Sequence, residues 1–151
     1  MTERINSSVG INAHISALRK AGRTPLPEIR SVLSQSIAIE LVERSNAAEY
    51  PSLLVYCEKL SNTLKEKFSV FSGTAQVCIE VRHSEDRFEA LDAKTQEYSD
   101  LVCHLLDQVR GEWIEGFYYA GGYEVTYSPV RAGGKHFIQT AKVSFEVEIS
   151  K

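Results

Sequence analysis

The chain has 151 residues, 43% of them hydrophobic and 25% charged, which suits one soluble domain with a real core. A formal net charge of -3 argues against a broad nucleic-acid footprint and leaves room only for a local basic patch. No transmembrane span or signal peptide is visible, and Cys57, Cys78 and Cys103 are too few and too scattered for a disulfide framework.

In chain order, residues 5–21 read as a helix with Ile11, Ile15 and Leu18 on one face, stopped by Gly22. The TPLP stretch breaks the chain, and Ile29, Val32 and Leu33 then line a short second helix. Residues 36–44 alternate Ile37, Ile39 and Leu41 with Ala38, Glu40 and Val42, which predicts a strand. After Tyr50 and Pro51, SLLVYCEKL is apolar on both faces and reads as a central strand covered on both sides. Residues 62–67 are polar and read as a loop or helical turn.

Residues 70–83 form the next predicted strand, with Ala75, Val77, Ile79 and Val81 on one face. Ser84 then reads as an N-cap for a long helix over residues 85–110. Its apolar stripe is Phe88, Leu91, Thr95, Tyr98, Leu101, Val102, Leu105, Leu106 and Val109. Gly111 ends it, and the aromatic, glycine-rich GEWIEGFYYAGGY connects it to a terminal hairpin. That hairpin is YEVTYSPV, the turn RAGGKH and the strand FIQTAKVSFEVEI, in which Phe137, Ala141, Val143, Phe145, Val147 and Ile149 share one face. The expected fold class is α+β: a mainly antiparallel sheet of four to five strands with one long helix and an N-terminal helix packed on it. It is one domain over residues 1–151, divided into N-terminal helices (1–35), strands (36–83), the long helix (85–110) and the aromatic connection with the hairpin (111–151).

Chemistry-bearing spacings are missing. No CxxC, HxxxH or HExxH pattern joins the cysteines to His14, His83, His104 and His136, so no metal site is expected. There is no nucleophile elbow, and Cys57 and Cys78 read as buried, inert thiols. Neither glycine pair follows a strand into a helix, so no phosphate-binding or cofactor motif is expected. Two features stand out. Arg131 and Lys135 make a basic hairpin tip, which is either a solvated turn or a contact for an acidic surface or passing nucleic acid. Trp113, Phe117, Tyr118, Tyr119, Tyr123 and Tyr127 either fill the core edge or form an interface.

The order of YPSLLVY, GTAQVCIEV, the long helix, the aromatic/glycine connection and YEVTYSPV…HFIQTAKVSFEVEI resembles the tail-terminator and tail-completion (tail-to-head joining) family of long-tailed bacteriophages. The resemblance covers most of the chain. It implies a structural, non-enzymatic protein of the virion neck, assembled in the bacterial host cytoplasm. It further implies a homohexameric ring that caps the tail tube, stops tube polymerisation and meets the head-tail connector or head-completion protein, while DNA passes through the lumen without sequence-specific binding. No cofactor and no membrane are implied. Within that reading Trp113, Phe117, Tyr118, Tyr119 and Tyr123 are expected at an intersubunit or tube contact, and Arg131 and Lys135 at the channel or an acidic neighbour. The competing expectations are another neck component or a tube subunit, then a small α+β enzyme or a nucleic-acid-binding module.

Overall fold

The computed structural model describes residues 15–16, 26–44, 48–133 and 136–151. The helix expected over residues 5–21 therefore lies outside the described residues, Ile15 and Ser16 apart, and so does Lys135. The described elements are β1 (Ser31–Leu33), α1 (Ile39–Arg44), β2 (Ser52–Asn62), β3 (Ser72–Glu85), a 3-10 turn (Phe88–Ala90) and α2 (Leu91–Gln108), followed by five further strands. These are β4 (Gly111–Ile114), β5 (Phe117–Tyr119), β6 (Glu124–Tyr127), β7 (Arg131–Gly133) and β8 (His136–Ser150).

The frame is the pair β3 and β8. They run antiparallel from Ser72 opposite Ser150 to Glu85 opposite Phe137, without a bulge. Alternation over the central parts of both strands makes this possible: Val77, Ile79 and Val81 face the same side as Phe145, Val143 and Ala141, their partners in register. β2 lies on the other side of β3, and β1 adds in parallel to β2. The free edge of β8 is shared end to end by three short strands, β7 near its start, β6 in the middle and β5 near its end. β4 pairs with β5 and forms the far edge.

This overturns the expected fold class. Among the described residues the protein is mostly sheet, one mixed sheet of eight strands with α2 as its main helix, not a mainly antiparallel sheet of four to five strands. Three local causes account for the difference. The connection expected after α2 pairs with itself as β4 and β5, because Gly111 and Gly116 take positive φ and let the chain reverse within a few residues. The short helix expected around Ile29–Leu33 is instead β1, whose Val32 pairs with Leu53. Residues 39–44 are helix, not strand: Ile39 and Val42, three apart, are half-buried, while Leu41 is 60% exposed.

The long helix starts later than expected. Ser84 stays in β3 opposite Ile138, because β8 still offers it a partner, and α2 begins at Leu91 with no side-chain cap. One face of α2 buries Leu91, Thr95, Tyr98, Leu101, Val102 and Leu106 against β3 and β8. Leu53, Val55, Ile79, Val81, Val143, Phe145 and Val147 supply the sheet side of that core, joined by Ile15 and Leu26. Phe88, placed on the helix stripe by the sequence pattern, sits in the 3-10 turn and is 55% exposed. β2 is covered on both faces only over its first half, where Leu53 and Leu54 are buried; beyond a bulge between Cys57 and Lys59 it is exposed. Cys57 is accordingly an exposed thiol, not a buried one, whereas Cys78 and Cys103 are buried.

Candidate functional site

The aromatic segment divides by burial. Tyr119 lies fully inside, its ring 5.2 Å from Phe145 and 5.6 Å from Trp113, and its hydroxyl donates to the Gly122 carbonyl at 3.0 Å. Trp113 is half-buried, packs on Phe145 and donates its indole N–H to the Val109 carbonyl at 2.6 Å. These two close the gap between the end of α2 and β8. Phe117 is also partly buried, with the Lys151 ammonium 4.6 Å from its ring centre. Only Tyr118 and Tyr123 of the five residues expected at an interface are exposed. Tyr127, also exposed, shares a 2.8 Å hydrogen bond between its hydroxyl and that of Ser99. Burial pushes the neighbouring Cys103 thiol up to about 11, so it stays protonated at neutral pH.

At the terminal hairpin tip, β7 presents Arg131, whose guanidinium reaches the Glu40 carboxylate of α1 at 3.3 Å. Both partners are largely exposed, so the pair is a weak tie between α1 and β7.

The sheet face turned away from α2 is polar. Tyr56 donates to Glu80 at 2.6 Å, and Arg82 donates to Glu80 at 3.0 Å and to the Ile37 carbonyl at 2.5 Å. Arg82 is 6% exposed, and its Nε lacks a hydrogen-bond partner. It lines a shallow pocket of about 190 Å³ with Ser31, Ile37, Glu49, Tyr50 and Leu54 among its walls. Burial, then the bond to Glu80, pushes the Tyr56 hydroxyl well above its ordinary value. Further along the same face Lys142 donates to Glu58 at 2.5 Å, which raises the lysine and lowers the carboxylate, and the Cys78 thiol donates to Glu58 at 3.5 Å. Burial raises the Cys78 thiol. The Tyr56 hydroxyl, the Cys78 thiol and the Lys142 ammonium keep their protons at neutral pH, and their bonds to Glu58 and Glu80 hold the side chains in place. The result is a hydrogen-bonded, charged face on which neither Tyr56 nor Cys78 is poised as a nucleophile.

Beneath α2, His83 is almost fully buried, 2.9 Å from Glu85, which also accepts from Lys94 at 2.5 Å. Burial lowers the His83 pKa despite Glu85. Gln139, its partner in register, donates to Asp92 at 3.0 Å. Among the described residues no group of three His, Cys, Asp or Glu side chains is placed to hold a metal ion.

The sequence pattern underrated the turn between β2 and β3. It is an ordered loop that presents Leu64, Phe68 and Val70 to solvent, with Leu60 beside them on β2. The legible signal was the apolar residue recurring among the lysines of LKEKFSV. No family model matches the chain, and no curated protein sequence matches it.

Proposed function

We propose that this protein is a subunit of a closed ring that caps the tail tube of a long-tailed bacteriophage and joins it to the head, in the virion neck. The observation that carries the reading is the asymmetry of the sheet. Its two outer strands are unlike, β1 at one edge and β4 at the other, and among the described residues each pairs with a strand on one side only. A ring built by rotation needs two different, complementary surfaces on every subunit, and a sheet with unlike free edges supplies them. Tyr118, beside the β4 edge, and Tyr123 are the exposed aromatics available to such contacts, whereas Trp113 and Tyr119 stiffen the hairpin that carries them.

The polar face supports the same reading. Glu58, Glu80, Glu124, Glu146 and Glu148 outnumber Lys59, Lys142 and Arg82 on it, so phosphate groups meet net repulsion and DNA would slide past without being gripped. Arg131, tied to Glu40, contributes a neutralised pair and not a free cation at its end of the sheet.

The reading is tested by adding purified protein to polymerising tail-tube subunits. Arrest of tube growth with one protein ring at the tube end is expected. Incorporation along the whole tube length would assign the chain as a tube subunit, and the absence of any binding would refute the neck assignment.

A further inference from the structure

The loop between β2 and β3 combines an ordered backbone with outward-facing apolar side chains. Asn62 accepts from the backbone N–H of Leu64 at 3.3 Å and of Ser72 at 3.0 Å, and donates to the Val70 carbonyl at 3.3 Å. Glu66 N–H donates to the Ser72 hydroxyl at 3.2 Å, and the Ser150 hydroxyl donates to the Glu66 carboxylate. Phe71 and Lys151 exchange backbone hydrogen bonds at 3.0 and 2.8 Å, fastening the loop to the end of β8. Leu64 and Phe68 take positive φ, a costly conformation for side chains of this size, held here by those bonds. Yet Leu60 and Leu64 are each 60% exposed, Val70 is 87% exposed and Phe68 is wholly exposed. Exposed apolar side chains gathered on one hydrogen-bonded loop are the kind of feature that marks a protein contact.

Charge differs locally around the exposed aromatics at the two ends of the sheet. Within the loop, Phe68 is flanked by Lys65 and Lys67, and the acid between them, Glu66, accepts from the Ser150 hydroxyl. At the opposite end, where β3 runs into α2, Phe88 lies among Asp86, Arg87 and Glu89, while the nearby Glu85 and Asp92 are engaged by Lys94 and Gln139. That end also exposes apolar surface. Phe88 packs edge-on to Phe137 of β8 at 5.7 Å, the same strand pairs with β7, and α1 adds the exposed Leu41 beside the Glu40–Arg131 pair. Phe68 is thus exposed beside two lysines, and Phe88 is exposed beside two carboxylates and one arginine.

We infer that the β2–β3 tip of one copy docks on the acidic, Phe88-bearing end of a second copy of this chain, with Phe68 and Val70 against Phe88 and with Lys65 and Lys67 facing Asp86 and Glu89. The contact is heterologous, head to tail, so it closes into a ring or propagates into a filament according to its angle. It rests on the ring reading only for closure.

Analytical ultracentrifugation of the full chain tests this with three variants: Phe68→Asp with Val70→Asp, Lys65→Glu with Lys67→Glu, and the latter combined with Asp86→Lys and Glu89→Lys. The wild-type protein is expected to form an oligomer. The aspartate variant and the lysine reversal are each expected to weaken it by about tenfold or more, and the four-fold charge swap to restore it. Because the altered side chains are exposed, circular dichroism of all variants is expected to match the wild type. Rings that persist in the aspartate variant would overturn the tip contact and leave the ring reading standing. Wild-type filaments lost in that variant would support the tip contact and refute closure. A wild-type monomer, or an oligomer untouched by the tip variants while tube binding is lost, would overturn the inference; the second result assigns the tip to another protein.

Discussion

Tyr119 separates a packing role from a contact role, and Tyr119→Ala measures which it has. The ring is fully buried, touches Trp113 and Phe145, and closes a hydrogen bond to Gly122. Truncating a buried aromatic to alanine costs about 3–5 kcal/mol, through lost burial and an incompletely collapsed cavity. For a domain of this size each kcal/mol moves the melting temperature by about 2–4 °C, so about 4 kcal/mol becomes a fall of roughly 8–16 °C. Tyr119→Phe keeps the ring and loses only the bond to Gly122, which is expected to cost about 1 kcal/mol. The assay is urea denaturation followed by tryptophan fluorescence, since Trp113 lies against the altered side chain. Tyr118→Ala, at a position 48% exposed, is expected to leave stability within about 0.5 kcal/mol and to act on assembly alone. The reasoning fails if Tyr119→Ala is as stable as the wild type while its assembly is lost.

Three further outcomes follow from the same structure. A Cβ on Gly73 would collide with the Ser61 carbonyl at the base of the β2–β3 hairpin, so Gly73→Ala is expected to lose about 1–3 kcal/mol by thermal melting. Arg82→Ala leaves the Glu80 carboxylate half-buried with only Tyr56 as partner, and a loss of about 3 kcal/mol or more is expected in urea denaturation. His83 has a folded pKa below its ordinary 6.5, so the unfolded chain binds the extra proton first. Its stabilising contribution is therefore complete above 6.5 and is lost as pH falls below that value toward the lower folded one, so melting temperature is expected to drop on acidification through this range and His83→Gln to flatten the slope.

Long, regular alternation was legible. The β8 strand and the β3 strand carry their patterns for more than ten residues each, and no local conformation competes with that period. The α2 stripe was equally plain from Leu91 to Leu106. Short segments were not. IELVER carries a two-residue alternation and a three-residue spacing at once, and tertiary packing of Ile39 and Val42 decided for helix. The β4–β5 hairpin was hidden because its strands have few residues and one of its registers is broken by a bulge. Tyr118 and Tyr119 are neighbours with the same chemistry and opposite fates, which only the side of the strand they fall on determines. The Arg82–Glu80–Tyr56 network needed β2 and β3 in register, since Tyr56 and Glu80 are 24 positions apart.

The central claim is that copies of this chain close into a ring. Single-particle electron microscopy of the purified protein, at concentrations where ultracentrifugation finds it associated, tests it most directly. Closed rings of uniform subunit number, with an open lumen and a single ring seated on the end of an added tail tube, are the expected result. Monomers at every concentration, or open filaments with no tube-end binding, would contradict it.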